Sequence, residues 1–273
     1  MTMALESLSV DGQAGRLSVL RTTDARHGDP LVLIHPINSA AVVWTDVAAR
    51  IDRPVVALDL RGHGGSVAEG PFTVEEGYVP DVLAVLEGLG LDRVHLGGGS
   101  LGGTISVALA ALYPQRVLSV TTFGSTLGTG VPAEQIDAMV AELRAKGTAG
   151  YFADLVPQVV GSAHRGSARV REVMEEAVGT RSEAVVAEIL HGAFGADIRH
   201  LAGKVAATGI PVVAVAGTED VTCPPEMSRE LAETTGGTVT TLVGVGHLPM
   251  LEEPARVVEI LRGNIAAVAG AAS

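Results

Sequence analysis

The segment Val94-His95-Leu96-Gly97-Gly98-Gly99-Ser100-Leu101-Gly102-Gly103 constrains this chain more than any other. Within ten residues an apolar, strand-like run passes through a glycine cluster into the Ala-rich run Leu101–Leu112, which has helical character. A turn that tight crowds the backbone, and glycine relieves the crowding. The pattern Gly98-x-Ser100-x-Gly102 sets a serine at its apex. A serine hydroxyl is a weak nucleophile and has to be held exposed on such a strand-to-helix turn before it can attack.

Two other readings fit the same letters. Gly97-x-Gly99-x-x-Gly102 also matches a dinucleotide-binding fingerprint, which requires an acidic residue about 20 positions later, at the end of the next strand. That next strand, Val117 to Phe123 followed by Gly124-Ser125-Thr126, carries no acid. A glycine-rich turn with no chemistry is the other reading, and only partners for Ser100 can displace it.

The rest of the chain supplies a scaffold for such a turn. Leu5–Val10 and Arg16–Arg21 alternate in polarity around a turn rich in Asp11, Gly12 and Gly15, which predicts a hairpin. The short apolar runs 31–34, 55–58, 94–96, 117–123 and 211–216, with Thr238–Val243, read as buried parallel strands. Helical segments at 40–51, 81–89, 101–112, 226–233 and 254–268 alternate with them, and Pro80 predicts a kink or a helix start. The expectation is a mostly parallel eight-stranded sheet with helices on both faces. The core spans residues 1–126 and 205–273. Residues 127–204 contain no strand-like run and read as short amphipathic helices, a helical lid inserted at strand ends where ligands bind in such sheets.

Asp220 follows the strand-like run ending at Ala216, and His247 follows Thr238–Val243. Ser100, Asp220 and His247 therefore occur in the order nucleophile, acid, histidine, each at a strand end, so all three can meet at one edge of the sheet. In that arrangement Ser100 attacks, His247 accepts its proton, and Asp220 fixes the imidazole tautomer. Glu219 is the alternative acid. The anion formed on attack needs backbone donors. The Leu101 amide, at a helix start, and the Ile37 amide, in the loop His35-Pro36-Ile37-Asn38, are the candidates, because Pro36 has no N–H. Asn38 adds a possible side-chain donor. The run Asp59-Leu60-Arg61-Gly62-His63-Gly64-Gly65-Ser66 is read as a structural turn with a charged pair.

Composition narrows the class. The chain has 273 residues, of which 47% are hydrophobic, enough for one large core, and its formal net charge is -12. That charge disfavours nucleic acid and anionic membrane surfaces as partners. Cys223 is the single cysteine, so no intramolecular disulfide can form, and no basic neighbour marks it as reactive. No metal-binding spacing occurs, and no cofactor is expected. Residues 1–10 lack the pattern of a secretory leader, and a cytoplasmic location is expected.

Taken in order, the segments His35–Asn38, Asp59–Ser66, Gly98–Gly102, Gly217–Pro224 and Gly246-His247 resemble the α/β-hydrolase superfamily, from about Leu31 to Leu261. The lid exit Asp197-Ile198-Arg199-His200-Leu201 looks most like small carboxylesterases and 3-oxoadipate enol-lactonases. The resemblance implies Ser100, Asp220 and His247 as catalytic residues, with Ile37 and Leu101 as oxyanion donors. The superfamily commonly has His-Gly where this chain has His35-Pro36. The expected activity is hydrolysis of a small, apolar carboxylic ester or lactone through an acyl-enzyme. Asn38, Leu127, Phe194, Val221 and Leu248 are expected around the substrate, and no Arg or Lys near the motifs stands out as an anchor for an anionic one. Carbon–carbon bond hydrolysis, perhydrolysis, hydroxynitrile cleavage and small-molecule sensing by the same triad remain open at this point.

Overall fold

The computed structural model describes residues 5–23, 26–178 and 181–271, so the first four residues of the N-terminal segment read above lie outside it. Among the described residues eight strands form one sheet: β1 (Leu5–Asp11), β2 (Arg16–Thr22), β3 (Leu31–Ile34), β4 (Val55–Leu58), β5 (Val94–Gly99), β6 (Val117–Phe123), β7 (Val212–Gly217) and β8 (Thr238–Leu242). Their spatial order is β1-β2-β4-β3-β5-β6-β7-β8. β1 and β2 form the expected hairpin, β2 pairs antiparallel with β4, and all other pairs are parallel.

Side-chain alternation divides the core between the two faces of this sheet. Val32, Ile34, Val56 and Leu58 point to one face, where they join residues of α2 (Val79–Gly88), α3 (Leu101–Leu112), α7 (Arg199–Ala206) and α8 (Pro225–Thr235). Leu31, Leu33, Val55 and Ala57 point to the other, against α1 (Thr45–Ala48), α9 (Pro249–Glu252) and α10 (Pro254–Ala271). Strands buried on both faces have no room for polar alternation, hence the unbroken apolar runs.

Two helices differ from expectation. The region 40–51 is a 3₁₀ turn, Ala41–Trp44, followed by the single turn of α1. There the Thr45 hydroxyl donates to the Val42 carbonyl at 2.9 Å, a local bond that competes with a continuous helix. Val74–Tyr78 is a wide π turn, closed by Tyr78 N–H to Thr73 carbonyl at 2.9 Å. It leads into α2, whose first turn holds Pro80, where a missing N–H leaves no helical bond unmade.

The insertion contains α4 (Ala133–Val159), α5 (Ala168–Val178) and α6 (Glu183–Phe194). Gly147, at φ 69°, breaks α4 into two helical arms, in keeping with the short helices expected in this region. Val140, Leu143, Phe152, Val186 and Leu190 make a small core of the lid's own. A bridge between Gly128 and Asp197 closes its neck. The expected boundary at 204 therefore moves. α7 lies beyond the neck, and its Leu201, Ala202 and Val205 are buried in the main core beside α3 and α8. Among the described residues no helix is long and apolar enough to cross a membrane.

Candidate active site

Ser100 sits between β5 and α3 at φ 49°, ψ -120°. Side chains crowd the backbone there, and holding a non-glycine residue so costs about 1–3 kcal/mol. The surroundings enforce it. Ser100 N–H donates to the Phe123 carbonyl of β6 at 2.8 Å. A Cβ on Gly98 would lie 2.3 Å from the Gly102 backbone, and one on Gly102 would lie 2.2 Å from the Ile34 carbonyl oxygen. Only glycine lets α3 start this close to β3 and β5, which is the physical content of the motif.

Asp220 and His247 leave β7 and β8 on the same edge of the sheet and touch. Nδ1 of His247 lies 3.0 and 2.9 Å from the two Asp220 oxygens. Oδ1 of Asp220 also accepts the Thr222 and Cys223 N–H groups at 2.9 and 2.8 Å, which fixes the carboxylate. Both residues are buried, and among the described residues Nε2 of His247 has no hydrogen-bond partner. Gly124, at φ 55°, caps the pair from β6, where a Cβ would stand 2.6 Å from Asp220 Oδ2 and 3.1 Å from His247 Nδ1. Glu219 turns away, its carboxylate accepting from the Ser162 hydroxyl at 3.0 Å and from the backbone. Burial pushes the Cys223 thiol pKa up, with the Asp220 charge adding to it, so the thiol stays protonated.

Two cavities meet at this edge. The smaller, about 80 Å³, is lined by Ser100, Leu101, Thr104, Cys223 and Met227. The larger, about 350 Å³, is lined by Pro36, Asn38, Val221, His247 and Leu248 and by the lid residues Met139, Tyr151, Phe152 and Met174. Both are bounded by Ile37, Val131, Phe194 and Thr222. Of the residues expected around the substrate, Leu127 is displaced. It is fully buried in the main core, where its carbonyl accepts the Ile198 N–H at 2.7 Å, and it lines neither cavity.

The loop carrying Ile37 rests on two neutral histidines. Nε2 of His35 accepts the Leu60 N–H at 3.0 Å while Nδ1–H donates to the Pro36 carbonyl at 2.7 Å. Nε2 of His63 accepts the Asn38 N–H at 3.1 Å while its Nδ1–H donates to the Arg61 carbonyl at 2.9 Å. Burial disfavours both imidazolium ions, lowering the His35 pKa to about 4 and that of His63 well below the ordinary histidine value. Pro36 fits this loop because its carbonyl, not its nitrogen, makes the contact. Asn38 takes φ 57° there. Among the described residues no acceptor engages the Ile37 or Leu101 N–H.

The charged pair expected around Asp59 and Arg61 is a different one. Arg61 makes a buried two-pronged bridge to Asp81 of α2, both contacts 2.6 Å. Asp59 instead accepts the Ala41 and Gly65 N–H groups at 2.7 and 3.0 Å. Two further residues carry no sequence signal. Buried Glu252 accepts from the N–H groups of Gly161 and Gly246 through Oε2, both 2.8 Å, and from Leu248 through Oε1 at 3.0 Å. One carboxylate thus grips both peptide flanks of His247 and the turn after α4, and the His247 N–H itself donates to the Val159 carbonyl at 2.7 Å. Arg181, just before α6, donates from Nη1 to Asn38 Oδ1 at 3.3 Å and so brings a cation to the loop that carries Ile37. Among the described residues no cluster of three or more His, Cys, Asp or Glu side chains is arranged to hold a metal ion.

This geometry has counterparts among known proteins. Residues 29–254 match the family described as alpha/beta hydrolase fold. The dihydrolipoyllysine-residue acetyltransferase component of an acetoin cleaving system from Pseudomonas putida is 29% identical over 241 residues, 82% of this chain. The chain spans only 60% of that relative's length. A pimeloyl-(acyl-carrier protein) methyl ester esterase from Neisseria meningitidis serogroup A is 26% identical over 229 residues, 80% of this chain and 71% of that protein. The enol-lactonase of Burkholderia xenovorans LB400 superposes with a TM-score of 0.85 at 21% identity, covering 95% of this chain and 100% of its own, a likeness of fold. With the sheet order, the serine elbow and a match from residue 29 to 254, the chain belongs to the alpha/beta-hydrolase fold family.

Proposed function

We propose that this protein is a serine hydrolase of small carboxylic esters or lactones, acting through an acyl-enzyme on Ser100. The observation that carries the reading is the buried His247–Asp220 pair, 2.9 Å apart, with Nε2 of the imidazole unpartnered at the cavity wall. Asp220 holds the proton on Nδ1, which leaves Nε2 as the base. Nε2 takes the Ser100 proton as Oγ bonds to the substrate carbonyl carbon. The carbonyl oxygen gains the electron pair and is met by the Ile37 and Leu101 N–H groups. The tetrahedral species collapses, the alkoxide leaves with the proton from His247, and an acyl group remains on Ser100. Water, deprotonated by the same nitrogen, then releases the acid.

The cavity walls support a compact, largely apolar substrate, because Ile37, Phe152, Phe194 and Leu248 are among the residues that line them. A named esterase among the relatives is consistent with ester cleavage. The decisive experiment is labelling with a fluorophosphonate probe, read by peptide mass. A single adduct on Ser100, rapid multiple turnover of 4-nitrophenyl esters, and a loss of about 10⁴-fold or more in kcat for Ser100→Ala are expected. An unlabelled Ser100, or an active Ser100→Ala protein, would overturn the reading. Capture of one substrate equivalent without turnover would assign a sensing role instead.

A further inference from the structure

A further cavity, about 390 Å³, is lined by the second arm of α4 and by α5. Ala153, Val160, Val170 and Val178 make part of its apolar wall. Phe152, Val156 and Met174 line both this space and the larger substrate cavity, so these three side chains form the partition between them. They differ in freedom. The Phe152 ring packs edge-on to Tyr151, with centres 5.2 Å apart, and the Arg181 guanidinium carbon stands 5.6 Å over its face. Val156 is β-branched and stiff at its first torsion. Met174 is unbranched and has three rotatable bonds. It is buried, yet it reaches both spaces. A rotamer change at Met174 is therefore the movement that joins them. The passage it opens, between a held ring and a stiff valine, is narrow and suits an unbranched chain better than a ring.

The cavity walls also distinguish the two halves of an ester. His247, which returns the proton to the leaving alkoxide, lines the larger substrate cavity and not the smaller, whereas Ser100 and Leu101 line the smaller. A proton passes only over hydrogen-bond distance, so the leaving oxygen and the group it carries lie on the His247 side. The acyl group then takes the smaller cavity, which at about 80 Å³ holds only a short one. We infer that the preferred substrate joins a short acyl group to a linear aliphatic alcohol, whose far end passes Met174 into the cavity between α4 and α5. The inference rests on the hydrolase reading above and extends it beyond compact esters. Met174 is then a specificity residue, in contact with the chain and outside the chemistry.

The test compares butyl acetate, decyl acetate and ethyl decanoate, the last an isomer of decyl acetate with its chain on the acyl side, at concentrations where each is monomeric. Each methylene moved from water onto an apolar wall favours binding by about fourfold. For wild type, decyl acetate should therefore exceed both butyl acetate and ethyl decanoate in kcat/KM by about tenfold or more. Ala153 lines the further cavity and not the substrate cavity, and it is exposed, so Ala153→Phe fills that space without touching the site. It should lower the decyl-to-butyl ratio by about tenfold, chiefly through KM, and leave butyl acetate turnover within about twofold. Met174→Ala, which thins the partition, should raise the same ratio. A ratio unchanged in Ala153→Phe, or a wild-type preference for ethyl decanoate, overturns the inference. Binding of 1-decanol to Ser100→Ala by calorimetry, with and without Ala153→Phe, separates the two layers. Decanol binding weakened by Ala153→Phe, with no ester turnover in wild type, would leave the chain site standing and remove the hydrolase reading. Turnover of butyl acetate, with decanol binding indifferent to Ala153→Phe, would do the reverse.

Discussion

Removing the Glu252 carboxylate should uncouple His247 from the lid. The residue is buried and its two oxygens satisfy three backbone N–H groups, at 2.8, 2.8 and 3.0 Å, that no other acceptor among the described residues reaches. A bond from a buried N–H to a charged acceptor contributes about 1.5–3 kcal/mol, and an unsatisfied buried donor costs about 1–3 kcal/mol. Glu252→Ala strands all three at once. The losses overlap because they share one acceptor, which gives a destabilisation of about 3–6 kcal/mol, a large part of a typical domain's 5–15 kcal/mol. Glu252→Gln keeps the shape but has a single acceptor oxygen. Placed toward Gly161 and Gly246, that oxygen keeps two bonds and sets an NH₂ against the Leu248 N–H, so about 1–3 kcal/mol is lost. Because Gly246 and Leu248 flank His247, the imidazole loses its fixed position, and a misplacement near 1 Å costs about 100-fold in rate. Urea unfolding followed by circular dichroism measures the first effect, and kcat on a 4-nitrophenyl ester measures the second in protein verified as folded. Glu252→Gln within about 0.5 kcal/mol and twofold in kcat of wild type would refute the reasoning.

Acid should loosen the oxyanion loop before it unfolds the protein. His35 and His63 have folded pKa values below the unfolded value of 6.5, about 4 for His35, so the unfolded chain binds protons first as pH falls. Their stabilisation is complete above pH 6.5 and declines from there to the folded pKa, by about 3 kcal/mol for His35. Urea midpoints in wild type and His35→Gln should therefore converge between pH 7 and pH 4.5, and a constant difference would exclude the mechanism. Gly124→Ala should push a methyl between Asp220 and His247 and lower kcat by about 100-fold or more, while its φ of 55° adds only about 1 kcal/mol of backbone strain. Normal kcat in that variant would show that the pair is looser than its 2.9 Å contact indicates. Asp220→Asn should lose about 10⁴-fold in kcat, since an amide facing Nδ1 favours the wrong tautomer, and Glu219→Gln should change kcat less than twofold. A large loss in Glu219→Gln beside near-normal kcat in Asp220→Asn would move the acid to Glu219.

The features legible in the chain are those that depend on near neighbours along it. Unbroken β-branched runs demand burial on both faces of a parallel sheet, and Gly98 and Gly102 flank a serine at a turn where a Cβ would meet backbone at 2.2–2.3 Å. Strand ends share one edge of such a sheet, so the approach of Asp220 to His247 was legible as soon as each was placed after its strand. The structure alone decided the rest, because amphipathic pattern states that a face is buried but not what it meets. Leu127 was apolar and near the lid, yet it packs in the core. α7 carries the same kind of stripe as the lid helices and lies beyond the neck, on α3 and α8. Arg61 chose Asp81 over its nearer neighbour Asp59. Glu252 reaches across 91 positions to Gly161, and Arg181 across 143 to Asn38. Hydrogen bonds of that span leave no periodic trace in the chain. They come from how residues 133–194 are folded over the sheet edge.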